Sequence, residues 1–173
     1  TEDNSLKYYL AQALSIRAFD YFVLAQMYQH TYKGNESKPC VPLITNENAN
    51  EAAANGCARS TVQEVYDQIM GDLNKAISLL ETTDKTRGTD KRYISKEVAY
   101  GLRARVNLTM QNWTAAAEDA QKAISGSGTP YSREEVSAPG FTESSDHSWM
   151  WAIIIAETDR VVTSGIVNFP SHM

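Results

Sequence analysis

Two tryptophans, Trp149 and Trp151, stand two apart toward the C-terminal end of this 173-residue chain. Residues two apart in an extended segment project from the same face. Two indole rings on one face would offer a flat apolar platform on which a pyranose ring could stack, with amides or carboxylates close by for its hydroxyls. The rings equally suit a packed role, filling space between helices and whatever covers them, because large aromatics are mostly buried. A second candidate is the turn Tyr32-Lys33-Gly34-Asn35, with the amides of Asn46, Asn48 and Asn50 nearby in sequence. It reads either as a rim that meets a ligand or partner or as a solvated loop.

Constellations for catalysis are not evident. His30, His147 and His172 lack a paired metal-ligand spacing. Ser145-Asp146-His147 holds the residue types of a triad, but triad partners converge in space and not along the chain. Glycoside cleavage needs two opposed carboxylates, and none of the many acidic residues stands out as a pair. Glu118 and Asp119 read as the polar face of a helix, and no glycine-rich phosphate loop is present. The expectation is a non-enzyme with no metal and no cofactor. Cys40 and Cys57 share one polar loop. A disulfide there would be worth about 3 kcal/mol and suits an exported protein; two free thiols are the alternative. Their spacing is far from C-x-x-C, which argues against zinc and thioredoxin chemistry.

The elements that must position these groups follow from composition and period. Hydrophobic residues make up 42% and charged residues 21%, as in ordinary globular domains, and the length suffices for a core. The net charge of -5 comes without a Lys/Arg run, so nucleic acid is not an expected partner. No stretch of eighteen apolar residues suggests a membrane-spanning helix. The chain starts Thr-Glu-Asp-Asn and ends Asn-Phe-Pro-Ser-His-Met. It reads as a piece of a longer protein, so a missing leader says nothing about the parent.

Apolar spacing predicts a long first helix over 6–32, apolar around most of its circumference and therefore central in the fold. Residues 33–60 show no sustained period and read as a long inserted loop, a type that is often functional. Thr61-Val62-Gln63-Glu64 fits a capping box opening a second helix to 81. A second helical pair spans 95–126. Ser95 caps its first helix, a tight turn lies at Gln111-Asn112-Trp113, and its second helix ends near Gly126 and Gly128 in a left-handed cap. Ala104, Ala116, Ala120 and Ala123 sit at the close-packing positions of a tetratricopeptide-type repeat, and Trp113 takes the bulky position at its turn. Residues 127–173 read as irregular chain with a short strand or extended segment at 148–155. The fold class is mainly α: stacked tetratricopeptide-like helical pairs with long loops, forming one domain over 1–173. Such pairs bury their apolar faces only by stacking.

These segments also carry a family resemblance. Arg17 to Tyr28 resembles the opening helix of the SusD-like (RagB/SusD) family, and Val41-Pro42-Leu43-Ile44 its short Val-Pro-Leu segment. Arg59 to Ile69 with Asp72-Leu73, Ala76-Ile77 and Leu80, then Ala99 to Leu108, Asn112-Trp113 and Ala116, are similar to the family pattern in the same order. Trp149-Met150-Trp151 and Ser171-His172-Met173 resemble the stretch after the helical repeats. The resemblance implies a surface-exposed outer-membrane lipoprotein of the Bacteroidota. Such a protein captures an oligosaccharide or other nutrient and delivers it to a SusC-like TonB-dependent transporter. Its lipid anchor would lie outside this sequence. The helical half would face the transporter, with much of the ligand site built by another region. The alternatives are a generic tetratricopeptide-type adaptor that binds a peptide segment, and a carbohydrate-active enzyme whose catalytic residues lie elsewhere.

Overall fold

A computed structural model describes residues 3–29, 31–138 and 143–154. His30, His172, Ile155 and the Ser171-His172-Met173 match fall outside the described residues. Among the described residues six helices follow one another: α1 (Asn4–Tyr28), α2 (Ala49–Asn55), α3 (Val62–Thr82), α4 (Lys96–Thr109), α5 (Trp113–Ser125) and α6 (Arg133–Ser137). The described residues form no strand, and their one isolated bridge pairs Pro39 with Thr61. No helix among them is long and apolar enough to cross a membrane. Contacts divide the chain into two units, one of residues 1–88 with 94–127 and one of residues 89–93 with the described residues from 128 onward.

The first unit is the two helical pairs. Asp3 caps α1 by accepting from Ser5 N and Leu6 N at 2.7 and 3.2 Å, and no Gly or Pro interrupts the helix. It ends at Tyr28, four residues short of the expected end, because Gln29 turns extended and its side-chain amide reaches Pro39 O. The capping box opens α3 as the sequence predicts: Thr61 Oγ1 accepts from Glu64 N at 3.2 Å, and Glu64 Oε2 from Thr61 N at 2.7 Å. The pairs are α1 with α3 and α4 with α5, and α4 packs on α3 and touches α1. The core runs through Ala11, Leu14 and Ala76 to Ile69, Leu73 and Val106.

Three expectations need correcting. First, α1 is not enclosed: Leu6, Tyr9, Ile16, Met27 and Tyr28 remain exposed along one side. Its apolar circumference reflects one face packed on α3 and a second face open in this chain. Second, the excursion 33–60 is not structureless. The seven-residue α2 interrupts it, and backbone bonds Cys40 N to Ser60 O and Ser60 N to Val41 O close its two ends together. Arg59 fastens them through Cys40 O and Pro39 O. Third, α5 ends at Gly126 without a left-handed cap, since φ there is -105°. The glycine serves close approach instead: a Cβ at Gly126 would stand 2.5 Å from Glu97 Cγ. In the second pair the left-handed residue lies instead in the α4–α5 turn and is Gln111, at φ 64°, the one non-glycine with positive φ among the described residues.

Candidate functional site

Two buried carboxylates organise the first unit. Asp119 on α5 accepts from Arg103 Nε and Nη2, each at 2.7 Å, and from Asn107 Nδ2 at 3.2 Å. Asp72 on α3 accepts in the same way from Arg17 Nε and Nη2, both at 2.7 Å. In both arginines the paired carboxylate holds the guanidinium above its ordinary pKa. Such forked pairs fix two helices in direction as well as distance. Asp119 is therefore not on the solvated face that its place beside Glu118 suggests, but buried. A signal existed, because Asp119 lies three residues after Ala116 and four before Ala123, on the same buried stripe.

Across the seam of the two pairs, Arg103 Nη1 donates to Asn74 Oδ1 at 2.7 Å, and the Tyr100 hydroxyl donates to Glu81 Oε1 at 2.5 Å. The carboxylate acceptor holds the Tyr100 phenol up to about 12. Gln12 adds a tie that the periodicity hides. It stands among the polar residues of α1, yet it is buried, with both ends of its amide on the backbone of Ile94 at 2.7 and 2.8 Å.

Three surface clefts are formed within this unit, one of them a polar hollow beside Glu81, Tyr100 and Lys122. A second polar one of about 400 Å³ is lined by Tyr8, Glu81, Lys85, Lys96 and Glu97. An apolar one of about 460 Å³ runs between α4 and α5, with Gly101, Ala104, Ala116 and Ala120 at its floor and Leu108, Trp113 and Ile124 also lining it. Trp113, at the bulky position of the repeat turn, is 61% exposed.

The residues singled out as ligand contacts fare unequally. Tyr32 is buried; its ring stands 4.8 Å from that of Tyr66 and its hydroxyl donates to Gln63 Oε1 at 2.6 Å. It therefore serves the core, and burial raises its phenol pKa. Asn35 closes a turn through Nδ2 to Thr31 O at 2.7 Å. Asn48 does the same, accepting from Thr45 N and donating to Leu43 O. Cys40 and Cys57 stand as free thiols, the first buried and the second partly so. Burial pushes the Cys40 thiol up, away from the thiolate a reactive cysteine needs.

The tryptophans belong to the second unit. Residues 149–154 form no strand; the segment is tied to residues 89–93 instead. Ala152 N donates to Lys91 O at 3.0 Å and Trp151 Nε1 to Arg92 O at 3.2 Å. With its indole N–H engaged, Trp151 is partly buried, while Trp149 is 36% exposed. Beside them, His147 lies between Thr129 O (2.6 Å, Nδ1) and Glu135 Oε1 (3.2 Å, Nε2), with Tyr131 edge-on at 4.5 Å. His147 thus meets a carbonyl and a carboxylate, not a serine, and Ser145-Asp146-His147 forms no relay. Tyr32 and Asn35 are in the first unit and both tryptophans in the second, so neither unit contains all four.

Compared with known families, residues 1–108 match the SusD-like model described as starch-binding and associating with the outer membrane. That is well over half the chain. The chain belongs to the SusD-like family. No curated protein matches it. Among solved structures, this SusD-like chain is similar to a SusD-like carbohydrate-binding protein from Bacteroides vulgatus. The identity is 28% and the TM-score 0.75, over 87% of this chain and 31% of that one. A SusD superfamily protein from Bacteroides thetaiotaomicron is 26% identical with a TM-score of 0.66, over 79% and 29%. A laminarin-binding SusD-like protein is 26% identical with a TM-score of 0.57, over 75% and 25%. The SusD-like chain thus spans under a third of the length of these relatives.

Proposed function

We propose that this SusD-like chain is the helical portion of a non-catalytic protein that binds a glycan at the bacterial outer membrane and passes it to a TonB-dependent transporter. The observation that carries the reading is the family match over residues 1–108, joined to structural likeness to a carbohydrate-binding relative. Side-chain chemistry supports the non-catalytic part. Asp72 and Asp119, the buried carboxylates among the described residues, are each held at both oxygens by an arginine fork that joins two helices, a structural arrangement.

Within this reading Trp149 is the ring for a sugar face, because it is the more open of the two tryptophans. Trp151 acts as its anchor through Arg92 O. Tyr32 drops out, and Asn35 stays only as a turn residue. Titration calorimetry of the full-length gene product with maltoheptaose and with laminarioligosaccharides tests the proposal, since the family description and one relative point to these two glycans. Micromolar to millimolar binding of either, weakened about tenfold by Trp149→Ala, is the expected result. One stacked ring contributes on the order of 1–1.5 kcal/mol, which is that factor of ten. Undiminished binding by a folded Trp149→Ala rejects the platform; failure to bind any member of a broad glycan array rejects the function.

A further inference from the structure

Trp149, the more open tryptophan of the second unit, closes a turn whose middle is gripped from outside. Its N–H donates to Asp146 O at 3.1 Å. Within the turn His147 meets Thr129 O through Nδ1 at 2.6 Å and Glu135 Oε1 through Nε2 at 3.2 Å. Next to it, Ser148 Oγ accepts from Tyr131 N at 3.4 Å. Residues 129–135 are thus tied to the two residues that precede Trp149. The stretches run close together, since a Cβ on Gly128 would stand 2.7 Å from the His147 carbonyl oxygen. Lys91 adds a further tie, its ammonium donating to the Ser145 and Asp146 carbonyls.

Glu135 reaches His147 with one oxygen because the other is already engaged. Ser132 N donates to Glu135 Oε2 at 2.7 Å, and Ser132 Oγ accepts from Glu135 N at 3.2 Å, the capping box of α6. A carboxylate gripped by its own helix cap is fixed in direction, so Oε1 stands at His147 as a set acceptor. The Thr129 carbonyl is the second acceptor. A neutral imidazole carries one N–H and can serve only one of them, whereas the imidazolium carries two and serves both. The charges about the ring favour the cation. Glu135 on α6 and Asp146 in the turn are both acidic, and Asp146 faces the Tyr131 hydroxyl. Tyr131 itself stands edge-on to the imidazole at 4.5 Å. Lys91, the cation against the same turn, is occupied by backbone carbonyls.

We propose that His147 is a proton-operated latch on the Trp149 platform. As the imidazolium it holds the turn 146–149 against residues 129–135 and fixes the ring for a sugar face. On losing its proton it lets go one tie, and the ring loosens. His147 is thereby a positioning residue that makes ligand binding depend on pH. The inference rests on the reading of Trp149 as the ring that meets the ligand. The platform is held at mildly acidic pH and loosens as pH rises through the His147 titration. The Thr129 carbonyl foremost, then Glu135, lifts that midpoint above the ordinary histidine value. An exposed ion pair is worth only a few-fold in an equilibrium, so the latch modulates affinity and does not switch it off.

Glu135→Gln separates the latch from any general effect of pH. Glutamine keeps the cap with its amide oxygen on Ser132 N and can turn its NH2 to a neutral Nε2, so both ties survive without the proton. The test uses the full-length gene product labelled with fluorotryptophan, its Trp149 fluorine resonance assigned by Trp149→Phe. The resonance is followed from about pH 5.5 to about pH 8.5, across the ordinary histidine pKa, and maltoheptaose and laminarioligosaccharides are titrated at both ends of the range. The expected result is a Trp149 resonance that moves at the His147 midpoint and a glycan affinity about threefold weaker at the alkaline end. In Glu135→Gln both responses vanish, and the affinity stays at its acidic value throughout. A Trp149 resonance that ignores the His147 midpoint overturns the proposal. So does a pH response that Glu135→Gln leaves intact, or a glycan affinity that is flat in the unsubstituted protein. The resonance is read without glycan, so a protein that binds neither sugar counts against the glycan-binding reading while the resonance alone decides the latch.

Discussion

Arg103 holds Asp119 through two parallel hydrogen bonds of 2.7 Å, Nε to Oδ2 and Nη2 to Oδ1. The second helical pair is built around this one relationship. Its carboxylate is 5% exposed and the guanidinium 18%, so the ion pair is largely withdrawn from water and escapes most salt screening. The first pair repeats it between Arg17 and Asp72, with the arginine more open.

Removing one partner of a buried pair strands the other charge, at about 3–5 kcal/mol. Arg103→Met is therefore expected to lower stability by about that much in urea unfolding. Combining it with Asp119→Leu should restore most of the loss, because no buried charge remains. Arg17→Met should cost less than Arg103→Met, its guanidinium being closer to water. A loss below about 1 kcal/mol for Arg103→Met would mean that the pair is exposed in solution.

Gln12 satisfies both backbone groups of Ile94, its Nε2 donating to the carbonyl and its Oε1 accepting from the N–H. Gln12→Leu keeps the size but leaves those two buried groups unpartnered, at about 1–3 kcal/mol each. The expected loss is about 2–6 kcal/mol by thermal or chemical unfolding. Hydrogen exchange at the Ile94 amide should rise in step, and an unchanged Ile94 amide would count against the tie.

The α4–α5 turn carries its own conformational cost, because Gln111 sits at φ 64°. A left-handed conformation costs a non-glycine residue roughly 1–2 kcal/mol, partly offset on substitution by glycine's extra freedom in the unfolded chain. Gln111→Gly is expected to gain up to about 1 kcal/mol, read as a rise of roughly 2–4 °C in Tm. Gln111→Val, branched at Cβ, should lower it.

The second unit should respond to pH through His147. Both its partners, Thr129 O and Glu135 Oε1, only accept, so the two bonds coexist only with the imidazolium. The Thr129 carbonyl foremost, then the Glu135 carboxylate, raises the His147 pKa. Its stabilisation is full below about pH 6.5, the ordinary histidine value, and is lost as pH rises through the raised one. Glu135 moves the other way: bonds from Ser132, then from His147, lower its pKa. Its contribution is present above about pH 4.3, the unperturbed glutamate value, and is lost as pH falls through the lowered one. The unit is thus held best in the mildly acidic window between these titrations. NMR titration should give His147 a pKa above 6.5, brought down by Glu135→Gln; a His147 pKa at or below the ordinary value would contradict the geometry.

By itself the sequence determined the four long helices, the Thr61–Glu64 cap and the pairing of helices through small residues. These rest on local period and on hydrogen bonds between residues three or four apart, which neighbours in the chain supply. The tertiary structure decided what each face meets. It turned Asp119 from a solvated residue into the buried half of an ion pair, made Gln12 a clasp on Ile94, and drew Tyr32 into the core beside Tyr66. It also left Trp113 open. The physical reason is common to all four. Periodicity shows where a side chain lies on its helix, but burial and pairing depend on a partner far away in sequence, and only packing brings that partner within reach.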